Sequence, residues 1–160
     1  MSMSNEALLE HKIKGHELDS AMVSLFIERM LDQSINGSQV AAMLALLRAH
    51  GVSALELGYF ADVVIKKAVP IVRPNYLYAD IVGTGGDGHN TINVSTLASL
   101  TAAFLGVPVA KHGNVSVSSK CGAADVLQKL GVDLTLDAHG VRKSLDTTNW
   151  AFLFAPNFHP

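Results

Sequence analysis

Two prolines four residues apart divide this chain into halves that obey different packing rules. In PIVRPNY, Pro70 and Pro74 lack amide protons and fix their own φ, so no regular helix runs through them. Everything before them reads as helix. Ser4 caps a first short helix that ends near Gly15, and Asp19 caps a second whose stripe is Met22, Leu25, Phe26 and Arg29. Asn36 with Gln39 has capping-box spacing ahead of Val40, Met43, Leu44 and Leu47, with Gly51 as the stop. Ser53 with Glu56 repeats the device ahead of Leu57, Phe60, Ala61 and Val64. Four short helices with brief turns predict a helical subdomain over residues 1–73, whose remaining apolar faces suit a second copy of the chain.

After the prolines the pattern changes, and residues 74–160 read as α/β. YADIV at 78–82 is a strand, followed by a glycine loop and a helix over 94–105. VPVA at 107–110 is a second strand, then come a polar loop and a helix over 122–130. Residues 132–134 begin a further short element, 138–145 form a helix, and WAFLF at 150–154 is a buried strand. Alternation of this kind predicts a parallel sheet with right-handed crossovers. The fold class is therefore α/β: an all-helical subdomain followed by the first part of a parallel-sheet domain.

Composition narrows the chemistry. Apolar residues make up 49% of the 160 and charged ones 16%, the balance of a folded globule. A net charge of -2 gives no general attraction to nucleic acid or an anionic membrane, so any anion site must be local. No run reaches the roughly 18 apolar residues of a membrane span. The opening MSMSNEALLEHKIKG has no apolar signal core, and the single cysteine, Cys121, reads as a small packing residue in a reducing cytoplasm.

The glycine loop, GTGGDG at 83–88, sits where parallel sheets gather ligands, between the carboxyl end of a strand and the start of a helix. Gly83, Gly85, Gly86 and Gly88 let the backbone approach a bulky anion, and successive amides there can form an anion-holding concavity. Asn93, Ser95 and Thr96 add neutral donors and acceptors suited to phosphate oxygens or a hydrated Mg²⁺. Asp87 would repel phosphate, and its uses are a sugar hydroxyl, a metal-bound water or its own loop. No Lys-Ser or Lys-Thr follows the last glycine, so this is not a Walker loop, and the dinucleotide fingerprint is incomplete. Taken alone, the loop is equally a turn-rich connection. A second loop favours the ligand: Lys111, His112, Gly113 and Asn114 follow the next strand, with Ser116, Ser118 and Ser119 beyond them. Lysine offers a positive charge, and the hydroxyls and amides offer oriented hydrogen bonds.

DIVGTGGDG, NVST, KHGN followed by SVSS, and GAADVLQKLGV resemble the anthranilate phosphoribosyltransferase family in order and spacing, and the helical segment ending AVP is similar to its N-terminal domain. The resemblance implies a fold like the nucleoside phosphorylases and phosphoribosyltransferases. It implies transfer of the phosphoribosyl group of 5-phosphoribosyl 1-diphosphate to anthranilate, with Mg²⁺, in a cytoplasmic homodimer of tryptophan biosynthesis. Carried over by position, Gly83, Gly86, Asp87, Thr91, Asn93, Val94, Ser95 and Thr96 line the phosphoribosyl diphosphate site, with Ser95 reaching Mg²⁺. Lys111, His112, Gly113, Asn114, Val115, Ser116, Val117, Ser118 and Ser119 wrap the rest of it, Ala123 touches it, and Gly83 and Asn114 meet anthranilate. No catalytic acid or base is assigned, His112 being the one candidate. Val115 stands where many members have arginine, and the family's arginine for anthranilate and acidic pair for Mg²⁺ lie past the matched motifs, so this chain by itself is expected to be inactive. The alternatives are a pyrimidine nucleoside phosphorylase-like enzyme or an inactive fragment that binds phosphate or dimerises.

Overall fold

The computed structural model describes residues 3–83, 92–115 and 122–159, which divide into two compact units, one ending at Lys67 and the other beginning at Ala68. The first unit holds helices α1 (Asn5–Ile13), α2 (Ser20–Leu31), α3 (Gly37–His50) and α4 (Ala54–Lys67). Their starts follow the capping residues. Ser4 Oγ accepts from the Ala7 amide at 3.1 Å and Asp19 Oδ1 from Met22 at 2.8 Å. Asn36 and Gln39 close a reciprocal box at 2.9 and 3.3 Å, as do Ser53 and Glu56 at 3.2 and 3.0 Å.

Leu8, Leu18, Val23, Phe26, Ile27, Ile35, Met43, Leu47 and Val63 form the core of this unit. The stripe expected on α4 is rotated. Leu57 and Val64 are 64% and 40% exposed, while Val63 is only 7% exposed. The cause is Glu56. Its carboxylate, 1% exposed, meets Lys12 Nζ of α1 at 2.6 Å and accepts the Leu18 amide at 2.9 Å. That tie turns the Glu56–Val63 side of α4 inward and leaves Leu57 and Val64 outside. On α3, likewise, Met43 and Leu47 are buried but Leu44 is exposed.

The second unit is built on two parallel strands, β1 (Val109–Gly113) and β2 (Trp150–Phe154), in register from Val109↔Trp150 to Gly113↔Phe154. The expected strand at 78–82 contributes a single bridge, Ala79↔Val109, in the same parallel sense. β1 also begins later than expected. Pro108 has no amide to donate, so pairing starts at Val109 and runs on through Lys111, His112 and Gly113 opposite Phe152, Leu153 and Phe154. These three polar-loop residues are therefore strand residues. At Gly113 a Cβ would stand 2.8 Å from the Phe152 ring, so the close approach requires glycine.

Side chains alternate across the sheet. Val109, Trp150 and Phe152 pack with Ala103, Ala124 and Leu127 on one face, whereas Ala110 and Ala151 pack with Val141, Leu145 and Phe158 on the other. Helices α5 (Val94–Phe104) and α6 (Ala123–Lys129) supply the first layer; α7 (Ala138–Thr148) and the short α8 (Ala155–Phe158) supply the second. This two-sided cover is what a parallel sheet requires. Residues 132–134 form no regular element, although Val132 and Leu134 pack on the first layer. Helix α7 ends on Asn149 in the left-handed region, φ 57°, and β2 starts at the next residue. The segment after Ala68 is fastened to α7 and α8. The Val69 amide donates to Phe158 O at 2.8 Å, Arg142 donates to Val72 O at 3.1 Å, and Tyr76 donates to Asp146 at 2.5 Å.

Candidate functional site

The paired strands set where each polar segment begins. Ala79 bridges Val109, with the Ala79 amide donating to Pro108 O and the Ala110 amide to Ala79 O, both at 2.9 Å. The chain entering the glycine loop and the chain entering the KHGN segment thus leave neighbouring parallel strands at the same end, the end where such sheets carry their ligand sites. The N-terminus of α5 stands beside them.

Lys111 links all three. It is 1% exposed, its stem packed in the sheet, and its ammonium donates to Ile81 O at 2.6 Å and to Ser95 Oγ at 3.4 Å. Burial pushes its pKa down, partly opposed by the Asp80 carboxylate. None of the salt bridges among the described residues uses Lys111, so its charge is held by neutral oxygens. His112 follows. Its amide donates to Asp80 Oδ1 at 3.2 Å, and its ring meets His159 edge-on with centroids 5.3 Å apart. Its Nε2 is buried with no hydrogen-bond partner among the described residues. Burial lowers the His112 pKa, His159 and Lys111 lower it further, and Asp80 opposes them, which favours the neutral ring.

The other expected residues fall close by. Asn93 precedes α5 and its side chain donates to Gly122 O at 3.4 Å, joining the starts of α5 and α6. Thr96 lies in the first turn of α5 with Oγ1 buried and without a hydrogen-bond partner among the described residues. The Asn114 carbonyl accepts from the Ala124 amide at 3.3 Å, while its side-chain oxygen accepts from Val115 N at 2.8 Å. Ala123 sits beside Gly113, and Gly83, Val94 and Val115 are exposed. Gly86, Asp87, Thr91, Ser116, Val117, Ser118 and Ser119 lie outside the described residues, as does Cys121. The motif reading passes over Asp80 and His159. Asp80 had a signal, a carboxylate at the end of a strand just before a glycine loop; His159 had none.

These groups suit an anion: a buried cation, the positive end of an eleven-residue helix, an orphaned hydroxyl and neutral amides. They do not suit a metal on their own. Ser95 offers one neutral oxygen beside an ammonium, and no group of three or more His, Cys, Asp or Glu gathers among the described residues. A shallow cavity of about 330 Å³ lined by Val69, Thr135, Leu136, Asp137, Ala138, Asn157 and Phe158 contains none of the candidate residues. No helix among the described residues is long and apolar enough to cross a membrane.

Comparison with known proteins gives concordant matches for both units. Residues 6–68 match the helical bundle domain of a glycosyl transferase family, and residues 75–160 match the a/b domain of the glycosyl transferase family. The chain is 41% identical over 157 residues to the anthranilate phosphoribosyltransferase of Haemophilus influenzae strain PittEE, covering 98% of this chain and 47% of that protein. It is 42% identical over 154 residues to the Methanopyrus kandleri enzyme of the same name, covering 96% and 45%. Among solved structures, the anthranilate phosphoribosyltransferase of Thermus thermophilus superposes with a TM-score of 0.83 at 37% identity, over 96% of this chain and 46% of that one. The Saccharomyces cerevisiae enzyme, solved in complex with PRPP and Mg, gives 0.77 at 28% identity, over 98% and 43%. The chain spans about half the length of the relatives it matches.

Proposed function

The chain belongs to the glycosyl transferase family with a helical bundle domain and an a/b domain, and from that premise we propose that it serves anthranilate phosphoribosyl transfer. The observation that carries the reading is the juxtaposition at the strand ends: the Ala79↔Val109 bridge, with Lys111 Nζ 2.6 Å from Ile81 O, starts both polar segments side by side. Relatives named for this reaction, one of them solved with PRPP and Mg, support the substrate class and do not favour the phosphorylase alternative.

In the proposed reaction the amine nitrogen of anthranilate forms a bond to the anomeric carbon of the sugar. The bond from that carbon to diphosphate breaks and diphosphate leaves with the electron pair; the amine then gives up a proton. The amine is unprotonated at neutral pH and already a nucleophile, so the protein's work is to align two substrates and stabilise charge on the leaving group. Asn93, the first turn of α5 and the segment from Lys111 to Asn114 are assigned to the phosphoribosyl diphosphate, together with Gly83, Gly86, Asp87, Thr91, Ser116, Val117, Ser118 and Ser119. Gly83 and Asn114 are assigned to anthranilate. No catalytic acid or base is assigned; His112, neutral but made a weaker base by its lowered pKa, is the one candidate to take the amine's proton. Mg²⁺ belongs to the proposal as an ion that arrives with the diphosphate, to which Ser95 offers one oxygen.

A homodimer through the helical unit and a cytoplasmic location complete the proposal. For the dimer, the support is the exposed apolar set Leu44, Leu57, Val64 and Ile65. Calorimetric titration of the chain with 5-phosphoribosyl 1-diphosphate and Mg²⁺ tests the site. Saturable binding with one sugar diphosphate per chain is expected, and heat no greater than dilution at millimolar ligand would refute the assignment.

A further inference from the structure

Asp80 and Lys111 reach across one gap in opposite directions. The Asp80 carboxylate accepts the His112 amide at 3.2 Å, and the Lys111 ammonium donates to the Ile81 carbonyl at 2.6 Å. Each side chain therefore grips the backbone of the other segment, just beyond the Ala79↔Val109 bridge. Among the described residues, backbone pairing between those segments is the bridge at Ala79, and the Asp80 and Lys111 side chains make the next contacts beyond it. Lys111 is 1% exposed, and among the described residues its ammonium meets Ile81 O and Ser95 Oγ, both protein oxygens. Asp80 is a second oddity, an exposed carboxylate next to a site suited to anions.

We propose that Asp80 and Lys111 form a reciprocal brace that sets the spacing of the two anion-binding segments, so that Lys111, assigned above with its segment to the phosphoribosyl diphosphate, serves that ligand by positioning the segments and not by direct contact. This rests on the diphosphate reading of the site given above. The brace explains why a carboxylate stands there. Simple Coulomb reasoning says that removing Asp80 tightens anion binding, since a repelling charge is lost. The brace says that the outcome depends on what replaces it. Asp80→Asn keeps an oxygen for the His112 amide and sheds the charge; Asp80→Ala sheds both.

The experiment titrates inorganic diphosphate with Mg²⁺ into the 160-residue chain and its variants, and follows exchange of the His112 amide by NMR. Asp80→Asn is expected to bind as tightly as the parent or more so, and Asp80→Ala about tenfold more weakly, the scale of one lost charge-assisted hydrogen bond. Lys111→Met leaves the Asp80–His112 bond in place, yet should speed His112 exchange by roughly tenfold because the partner half of the brace is gone. Melting midpoints within a few degrees of the parent confirm that the variants fold. Asp80→Ala binding as tightly as Asp80→Asn overturns the brace. So does Lys111→Met that loses binding with His112 exchange unchanged, which would make Lys111 a direct ligand. Failure of the parent chain to bind diphosphate would defeat the diphosphate reading instead, and His112 exchange in Lys111→Met would still decide the brace.

Discussion

Lys12 looks like a surface residue in the sequence, a cation in the last turn of a nine-residue helix, where it complements the helix dipole. In the fold it is 2% exposed and paired at 2.6 Å with a carboxylate 1% exposed. Burial by itself pushes the Glu56 pKa up, but hydrogen bonds from Lys12 and from the Leu18 and Ser53 amides outweigh it and hold the carboxyl below its usual range. Lys12→Met strands that carboxylate in the core and should cost about 3–5 kcal/mol, read as a large fall in melting midpoint. Lys12→Met combined with Glu56→Leu should recover part of the loss, the remainder being the acceptor that the Leu18 and Ser53 amides no longer have. The sign of the pH effect follows from the depressed pKa. The group adds stability above its unfolded pKa, near 4.5, and that stability is lost as pH falls through the lower folded value. A melt series from pH 7 down to pH 3 should show a drop at the acid end that is smaller in Lys12→Met with Glu56→Leu, in which the other carboxyls of lowered pKa, Glu6, Asp32, Asp133 and Asp146, still titrate.

Among the elements, α4 shows how a polar contact can choose between two apolar faces. Its sequence offers one stripe at 57, 60, 61 and 64 and another at 59, 60 and 63, and periodicity favours the first. The buried pair at Glu56 selects the second. Val63→Ala should therefore cost about 2 kcal/mol, whereas Val64→Ala should stay within about 0.5 kcal/mol, both measured by denaturant unfolding. Caps, helix order and β2 were legible in the sequence because they rest on neighbours in the chain: Ser4 on Ala7, Asp19 on Met22, Asn36 on Gln39. The reduction of the 78–82 strand to a single bridge, the late start of β1 and the facing of α4 were not, because each depends on a partner far along the chain. The candidate site divides the same way. Its glycines, hydroxyls and Lys111 announce themselves by motif. The Asp80–His112 bond spans 32 residues and becomes visible only once β1 lies beside Ala79.

For the molecule as a whole, the proposed pairing of copies makes a further prediction. Leu57 and Ile65 are 64% and 68% exposed on α4. Leu57→Lys with Ile65→Lys should leave the fold intact and convert a concentration-dependent dimer into a monomer in sedimentation, whereas a mass unchanged between variant and parent would place any pairing elsewhere. The joint at Asn149 carries its own consequence. One left-handed residue separates α7 from β2, and its carbonyl accepts the Val109 amide at 2.8 Å, so no slack exists in which an added or missing residue could hide. Because neighbouring strand positions look to opposite sides, an insertion there would turn Trp150 and Phe152 away from α5 and α6 and push Ala151 into their place. Length variation is therefore forbidden at this corner.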